Sequence, residues 1–134
     1  MGIDYGQKRI GVAVSDPLKI FAVALDTVPV DKITEYIARY HAKEPIELFV
    51  VGYPKQLNNT PSQNAPRVEA FVTHLKRTFA GIDVVLADER FTSKMAFQSM
   101  IDGGVKKKDR RDKATVDRIS AVLILQGYLD SLHI

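Results

Sequence analysis

The sequence contains no cysteine among its 134 residues, which excludes disulfide bonds and thiolate metal sites. It also contains no apolar run near the roughly 18 residues that a membrane-spanning helix needs. The N-terminus lacks the charged, apolar and small-residue regions of a signal peptide. We therefore expect a cytoplasmic protein with no membrane partner.

A strong overall charge is missing too, since 19 basic residues stand against 16 acidic ones. The positive charge is concentrated between positions 105 and 114, where six basic residues accompany two acidic ones and give a local charge of +4. That exceeds the net charge of the whole chain, +3. A basic segment on a near-neutral body favours contact with a polyanion. The residues predicted to make this contact are Lys106, Lys107, Lys108, Arg110 and Arg111.

The length and the hydrophobic content of 46% are those of one globular domain, expected to cover residues 1–134. Three short apolar stretches open the chain, at Met1–Gly6, Ile10–Ser15 and Phe21–Leu25. Their short links predict an antiparallel meander, because parallel neighbours need long crossovers. Asp16 precedes a proline in one of these links and is expected to be a turn residue.

Two strand–helix units are predicted next. Asp31 is expected to cap a helix that ends before Pro45, and Leu48–Gly52 is an apolar run typical of a strand buried on both faces. A polar loop from Tyr53 to Pro66 then precedes a helical stripe between Val68 and Phe79.

The C-terminal part continues the alternation. Val84–Ala87 predicts a second buried strand, and Thr92 or Ser93 is expected to cap a further helix that ends at Gly103. The last helix is predicted from about Thr115 to Leu132. Its expected apolar face consists of Ile119, Val122, Leu123, Gln126 and Leu129.

Acidic residues are expected to meet at one edge of this sheet. Strands joined by crossover helices run parallel, so their carboxyl ends share an edge, where open α/β sheets bind ligands. Asp4 and the pair Asp88–Glu89 end two such strands, and Asp117 is expected in the first turn of the last helix. Taken singly, Asp4 could satisfy turn donors, Asp88 could cap a helix, and Asp117 could complement a helix dipole.

Crowded carboxylates need a counter-charge. Two of them about 5 Å apart repel by roughly 3 kcal/mol at an effective dielectric constant near 20. An all-oxygen cluster suits Mg²⁺ or Mn²⁺. Metals held in this way promote phosphodiester hydrolysis, and the basic segment would then contact a nucleic acid.

Four ordered blocks of the sequence resemble the YqgF family. They are residues 2–16 (GIDYGQKRIGVAVSD), residues 51–58 (VGYPKQLN), Asp88–Glu89–Arg90 with Thr92, and Val116–Asp117–Arg118 followed by residues 120–125 (SAVLIL). The resemblance covers essentially the whole chain. It implies an α/β ribonuclease H-like fold: a five-stranded mixed sheet, three antiparallel strands and then two parallel ones, flanked by helices and related to RuvC Holliday junction resolvases.

The same resemblance implies a nuclease that matures the 5′ end of pre-16S ribosomal RNA. Its expected catalytic and metal-binding acids are Asp4, Glu89 and Asp117. Lys8, Arg9 and Arg90 could contact nucleic-acid phosphates, although Lys8 and Arg9 could equally solvate a hairpin. A DNA junction resolvase and a non-catalytic nucleic-acid or ribosome-binding module are the alternatives, and a monomer or weak dimer is expected.

Two features depart from the family pattern. Relatives usually have a few residues before the first block, so the resemblance implies a short first strand or a trimmed N-terminus. RuvC-type enzymes tend to carry a second acid one turn along the last helix, where this chain has Ser120. That serine supports the non-catalytic alternative and leaves the number of metal ions open.

Overall fold

A five-stranded mixed sheet forms the centre of the fold. The computed structural model describes residues 1–53, 64–88 and 112–132. The strand order is β3-β2-β1-β4-β5. β1, β2 and β3 are antiparallel neighbours, and β1, β4 and β5 run parallel, as the sequence predicts. The strands are β1 Gly2–Tyr5, β2 Arg9–Ser15, β3 Ala22–Pro29, β4 Leu48–Tyr53 and β5 Asp83–Asp88.

Three described helices accompany the sheet: α1 Ile33–Lys43, α2 Ala65–Thr78 and α3 Lys113–Ser131. The prediction that Pro66 closes a loop is wrong, because Pro66 lies in the first turn of α2. Proline is tolerated there because a backbone N–H at that position would have no partner within the helix. The remainder of the predicted loop and the predicted helix after Thr92 lie outside the described residues.

The predicted cap of α1 is also wrong. Asp31 lies inside a 3-10 turn, Val30–Lys32, and Lys32 is the N-cap, with no side-chain hydrogen bond. The turn makes a side-chain cap unnecessary, because the Ile33 backbone N–H already donates to the Val30 carbonyl. The helix therefore begins from a preceding turn rather than from an acidic side chain.

One face of the sheet packs against α1 and α2 through large apolar side chains. β-branched and aromatic residues from every inner strand meet leucine, isoleucine and phenylalanine side chains of the two helices. Burial of this kind is the main favourable contribution to folding. The buried members are Ile3, Ile10, Val12, Val28, Ile33, Ile37, Ile46, Phe49, Val51, Val68, Phe71, Val72 and Leu75.

The other face packs against α3 and is built from small residues. Ala13 and Val50 of the sheet meet four buried side chains of the helix, Ala121, Ile124, Leu125 and Leu129. At Gly2 an added Cβ would lie 2.6 Å from the Leu125 Cβ, closer than two carbon atoms can pack. The helix therefore lies unusually close to the backbone of β1.

Two sequence predictions about the buried surfaces need correction. The predicted apolar face of α3 is right for Leu129, which is buried, but the other buried apolar side chains are Ala121, Ile124 and Leu125. Apolar residues surround this helix, so periodicity alone does not select its buried side. Strand β5 is not buried on both faces: Leu86 is 49% exposed, since β5 is the edge strand of the described sheet. Strand β3, predicted to end at Leu25, extends four residues beyond it, to Pro29.

The strand register places the carboxyl ends of the parallel strands at one edge. Ile3 pairs with Val51, and Val51 pairs with Leu86. Asp4 follows Ile3, and Asp88 lies opposite Tyr53 at the end of the β4–β5 ladder. The predicted convergence of strand ends is therefore confirmed for Asp4 and Asp88.

Within residues 1–53, 64–88 and 112–132, no helix has the length and apolar character needed to cross a membrane. Strand β1 contains four residues, which agrees with the expected short first strand. It is nevertheless the central strand, because it pairs with β2 on one side and with β4 on the other.

Candidate active site

Asp4 and Asp117 come together across Gly11. Asp4 of β1 pairs directly with Gly11 of β2. A Cβ added to Gly11 would overlap the backbone carbonyl of Asp117, so glycine is needed for α3 to approach this closely. The backbone of Asp117 thus lies against the cross-strand neighbour of Asp4.

The side chain of Asp4 points to the face of the sheet that α3 covers. Side chains two residues apart in a strand share a face. The added Cβ atoms at Gly2 and Gly11 both point at α3, and Asp4 is two residues after Gly2 and directly opposite Gly11. Asp4 therefore lies within β1 on the α3 side and not in the turn that follows the strand.

Hydrogen bonds to β3 and to the preceding loop fix the position of α3 along its axis. Near its start, the Thr27 hydroxyl donates to the Ala114 carbonyl at 2.6 Å. Near its end, the Gln126 side chain accepts from the Ala22 N–H and donates to the Ile20 carbonyl, both at 2.8 Å. Because Asp117 lies between these two sets of hydrogen bonds, its position relative to the ends of the strands is fixed.

Asp117 lies in the second turn of α3, not in the first turn as predicted, because the helix starts at Lys113 with Asp112 as its N-cap. The Asp112 side chain accepts from the Ala114 N–H at 3.2 Å. The helix-dipole interpretation of Asp117 is thereby weakened, since the dipole effect falls off within the first turn. Asp112 supplies the acidic group at that helix end.

Arg9 provides a cation beside Asp117. Its Nε donates to Asp117 Oδ2 at 3.2 Å, and the two side chains are 39% and 25% exposed. Lys8, by contrast, is exposed in the turn between β1 and β2. Its backbone carbonyl accepts from the Val30 N–H at 3.1 Å.

Helix α2 holds the end of β1 from the opposite side. The Asn64 amide donates to the Tyr5 carbonyl at 3.2 Å, and the Tyr5 and Phe71 rings lie 4.8 Å apart. At the end of β4, the Tyr53 hydroxyl donates to Glu69 Oε1 at 2.7 Å, and this hydrogen bond raises the pKa of the Tyr53 phenol. These contacts fix the ends of β1 and β4 beside Asp4.

Ser120 adds a buried hydroxyl one turn after Asp117. The residue is 1% exposed, and its oxygen has no hydrogen-bond partner among the residues that the structure describes. An unsatisfied buried hydroxyl typically costs about 1–3 kcal/mol. A hydroxyl retained at that cost, one helical turn after a carboxylate, is available to complete its bonding when a ligand is bound there.

The structure describes four of the predicted site residues: Asp4, Asp117, Lys8 and Arg9. Glu89 follows directly on the last residue of β5 but lies outside the described residues. The same holds for Arg90, Lys106, Lys107, Lys108, Arg110 and Arg111. Within the described segments no three acidic or histidine side chains group as metal ligands.

Gly11 and Asn64 contribute to the site, yet the sequence-based reasoning gave neither a role. The signal for Gly11 was its alternation with Ala13 on a strand predicted to pair with that of Asp4, which indicates a close neighbour on one face. No comparable signal exists for Asn64, because its contact with Tyr5 joins positions 59 residues apart.

Comparison with known proteins identifies the family. The model of the RuvX family, described as Holliday junction resolvase, matches residues 1–131. The chain belongs to the RuvX family. This is the family that the sequence motifs predict under the name YqgF, so the prediction of a nuclease, a hydrolase of phosphodiester bonds, is confirmed.

Relatives of the RuvX chain resemble it along nearly their whole length. A protein of Parabacteroides distasonis is 54% identical over 98% of this chain and 94% of its own. One of Phocaeicola vulgatus is 52% identical over the same shares, and one of Flavobacterium johnsoniae is 47% identical over 98% and 95%. All three carry the name "Putative pre-16S rRNA nuclease".

Two solved resolvase structures share this fold. The Fowlpox virus resolvase, solved with Holliday junction DNA, superposes with a TM-score of 0.57 at 12% identity, covering 98% of this chain and 96% of the viral one. Thermus thermophilus RuvC, solved with a junction substrate, gives 0.54 at 16% identity, covering 98% and 93%. These similarities confirm the predicted ribonuclease H-like fold.

Proposed function

We propose that this RuvX protein is a divalent-metal-dependent nuclease that acts in 5′-end maturation of pre-16S ribosomal RNA. The observation that carries the proposal is the contact of the Asp117 backbone with Gly11, directly opposite Asp4. It supports two carboxylates at the carboxyl edge of the sheet, the edge where open α/β sheets bind ligands. Glu89, next after β5, is proposed as the third catalytic acid.

The described donors fit a hard divalent cation. Carboxylate oxygens are the ligands that Mg²⁺ and Mn²⁺ prefer, and the buried Ser120 hydroxyl is suited to hold a water beside them. Asp4, Glu89 and Asp117 would hold the ion. When bound, such an ion activates a water for attack and stabilises the leaving oxygen of the phosphodiester.

Basic residues would hold the nucleic acid around the acids. We assign phosphate contacts to Lys8, Arg9 and Arg90, and to the basic segment with Lys106, Lys107, Lys108, Arg110 and Arg111. The names of the relatives favour structured precursor RNA, with ribosomal particles as further partners. The proposal includes a cytoplasmic location, a single domain over residues 1–134 and a monomer or weak dimer.

The test compares cleavage of precursor rRNA by the wild type and by Asp4→Asn, in Mg²⁺ and in Mn²⁺. Loss of one metal-holding carboxylate is expected to slow cleavage by about a hundredfold or more, since metal stabilisation is worth several kcal/mol. Asp83→Asn is the matched control, because this exposed acid lies at the amino end of β5, away from the carboxyl ends of the strands where Asp4 lies. Equal cleavage by wild type and Asp4→Asn would overturn the proposal.

A DNA junction resolvase is the second candidate, favoured by the description of the family model. Symmetric cleavage of a four-way junction requires two active sites, and therefore a dimer. Solution mass at the working concentration, measured with and without junction DNA, separates the two functions. A strict monomer that still cleaves precursor rRNA would reject the resolvase.

A binding module without catalysis is the third candidate, and Ser120 in place of a second helix acid favours it. It makes the opposite mutational prediction. Replacing Lys106, Lys107 and Lys108 with glutamine would abolish function in cells, while Asp4→Asn would leave function intact. Loss of function in both variants would support the nuclease.

A further inference from the structure

Arg9 is placed to compete with a cation for Asp117. Its guanidinium Nε lies 3.2 Å from Asp117 Oδ2. Arg9 is two residues before Gly11 in β2, so it shares the face that α3 covers. The guanidinium brings one positive charge to this carboxylate. A metal ion held by Asp117 would meet it at close range.

The ion pair is also weak enough to exchange. Both partners are partly exposed, at 39% and 25%, and ion pairs in contact with solvent add little to stability. A divalent ion interacts more strongly than a single guanidinium with the same carboxylate, because its charge is doubled and it contacts the oxygen directly. A divalent ion can therefore compete with Arg9 for this carboxylate.

We propose that Arg9 is a counter-ion of Asp117 in the metal-free protein and that a divalent cation displaces it from this carboxylate. The inference rests on the proposed metal-dependent function and adds a positioning residue to it. In the metal-free state Arg9 offsets the repulsion between Asp117 and Asp4. On displacement its guanidinium becomes available at the edge where the phosphates of the substrate are expected.

Arg118 offers a matched control. It follows Asp117 directly in sequence and carries the same charge, but its Nη2 donates to the Thr115 hydroxyl at 3.3 Å. Removing Arg118 therefore changes the net charge by the same amount and leaves the Arg9–Asp117 ion pair in place. A difference between variants at the two positions reports the ion pair and not the overall charge.

The experiment measures the Mn²⁺ dissociation constant by calorimetry for wild type, Arg9→Gln and Arg118→Gln, without nucleic acid. Arg9→Gln is expected to bind Mn²⁺ about fivefold more tightly. This factor corresponds to the upper end of the free energy that an exposed ion pair contributes. Arg118→Gln and the charge-preserving Arg9→Lys are expected to stay close to wild type. Unchanged or weaker binding by Arg9→Gln would overturn the inference.

A second readout follows the guanidinium itself. The Nε–H resonance of Arg9 in the wild type is expected to shift on titration with Mg²⁺ and to stop shifting when the site is saturated. A resonance that stays constant while calorimetry shows binding would overturn the inference alone. Absence of binding by both wild type and Arg9→Gln would overturn the proposed metal site as well, so the two failures are distinguishable.

Discussion

The two faces of the sheet are packed in different ways. The face toward α1 and α2 consists of large buried side chains such as Ile3, Ile10 and Phe49. The face toward α3 contains Gly2, Gly11 and small side chains, and it lets a helix backbone rest on the strands. The first face buries the greater apolar surface, whereas the second sets the distance between a strand and a helix.

This difference separates stability from site geometry. A large side chain on the α1–α2 face contributes by the apolar area it removes from water. A glycine on the α3 face contributes to the geometry of the site because it has no side chain. One methyl group at Gly11 would push Asp117 away from Asp4. Substitutions on the two faces should therefore affect stability and metal binding in different proportions.

Phe49→Ala should have the largest effect on stability. Phe49 is fully buried, and its ring lies 5.8 Å from that of Phe79. We expect the free energy of unfolding to fall by about 4 kcal/mol, as measured by urea denaturation. Mn²⁺ affinity of the folded variant should stay within about twofold of wild type, since sites without shared partners act nearly independently. A large loss of affinity would contradict the separation of the faces.

Gly11→Ala should reduce both properties. The new methyl group overlaps the Asp117 carbonyl, and overpacking of this kind costs up to about 3 kcal/mol in unfolding free energy. Displacement of Asp117 should weaken Mn²⁺ binding by about tenfold or more, the usual cost of disturbing ligand orientation. Urea denaturation and calorimetry on the same sample measure the two effects.

Gly127→Ala is the control for that substitution, because Gly127 lies in α3, the helix that contains Asp117, but has open space around it. Alanine there should raise the free energy of unfolding by up to about 1 kcal/mol through helix propensity. Its Mn²⁺ affinity should match wild type. If Gly11→Ala behaved like Gly127→Ala, the close approach at Gly11 would not position the site.

Among the three main substitutions, Ser120→Ala should change the free energy of unfolding least. It should raise this free energy, whereas Phe49→Ala and Gly11→Ala should lower it. Removing a buried hydroxyl that has no partner should raise the unfolding free energy of the metal-free protein by about 1 kcal/mol. Ser131→Ala is the control, since its exposed hydroxyl donates to the Tyr128 carbonyl and should change stability by less than about 0.5 kcal/mol. A clear loss of stability in Ser120→Ala would show that the hydroxyl is bonded in solution.

The sheet was predictable from the sequence for a physical reason. Short links such as Tyr5–Arg9 allow only antiparallel pairing, and the buried run Leu48–Gly52 needs helices on both faces. From these the position of Asp4 at a shared strand edge follows. The convergence depends on connection length and hydrophobic pattern, and both are local properties of the chain.

The position of α3 on the sheet was not predictable in this way. Apolar residues surround the helix, so its buried side is decided by where the sheet has room, at Gly2, Gly11 and Ala13. Its start two residues before Thr115 depends on Asp112 as a cap. Its position along the helix axis is set by contacts of Thr27 and Gln126 with residues 87 to 106 positions away in the sequence.

The most direct test of the account is a crystal soaked in Mn²⁺ and measured at the manganese absorption edge. An anomalous peak is expected between the carboxylates of Asp4 and Asp117, with Arg9 Nε moved away from Asp117 Oδ2. The same soak of Asp4→Asn should show a weaker peak or none. A wild-type crystal without a peak at saturating Mn²⁺ would contradict the central claim that the glycine-lined face assembles a metal site.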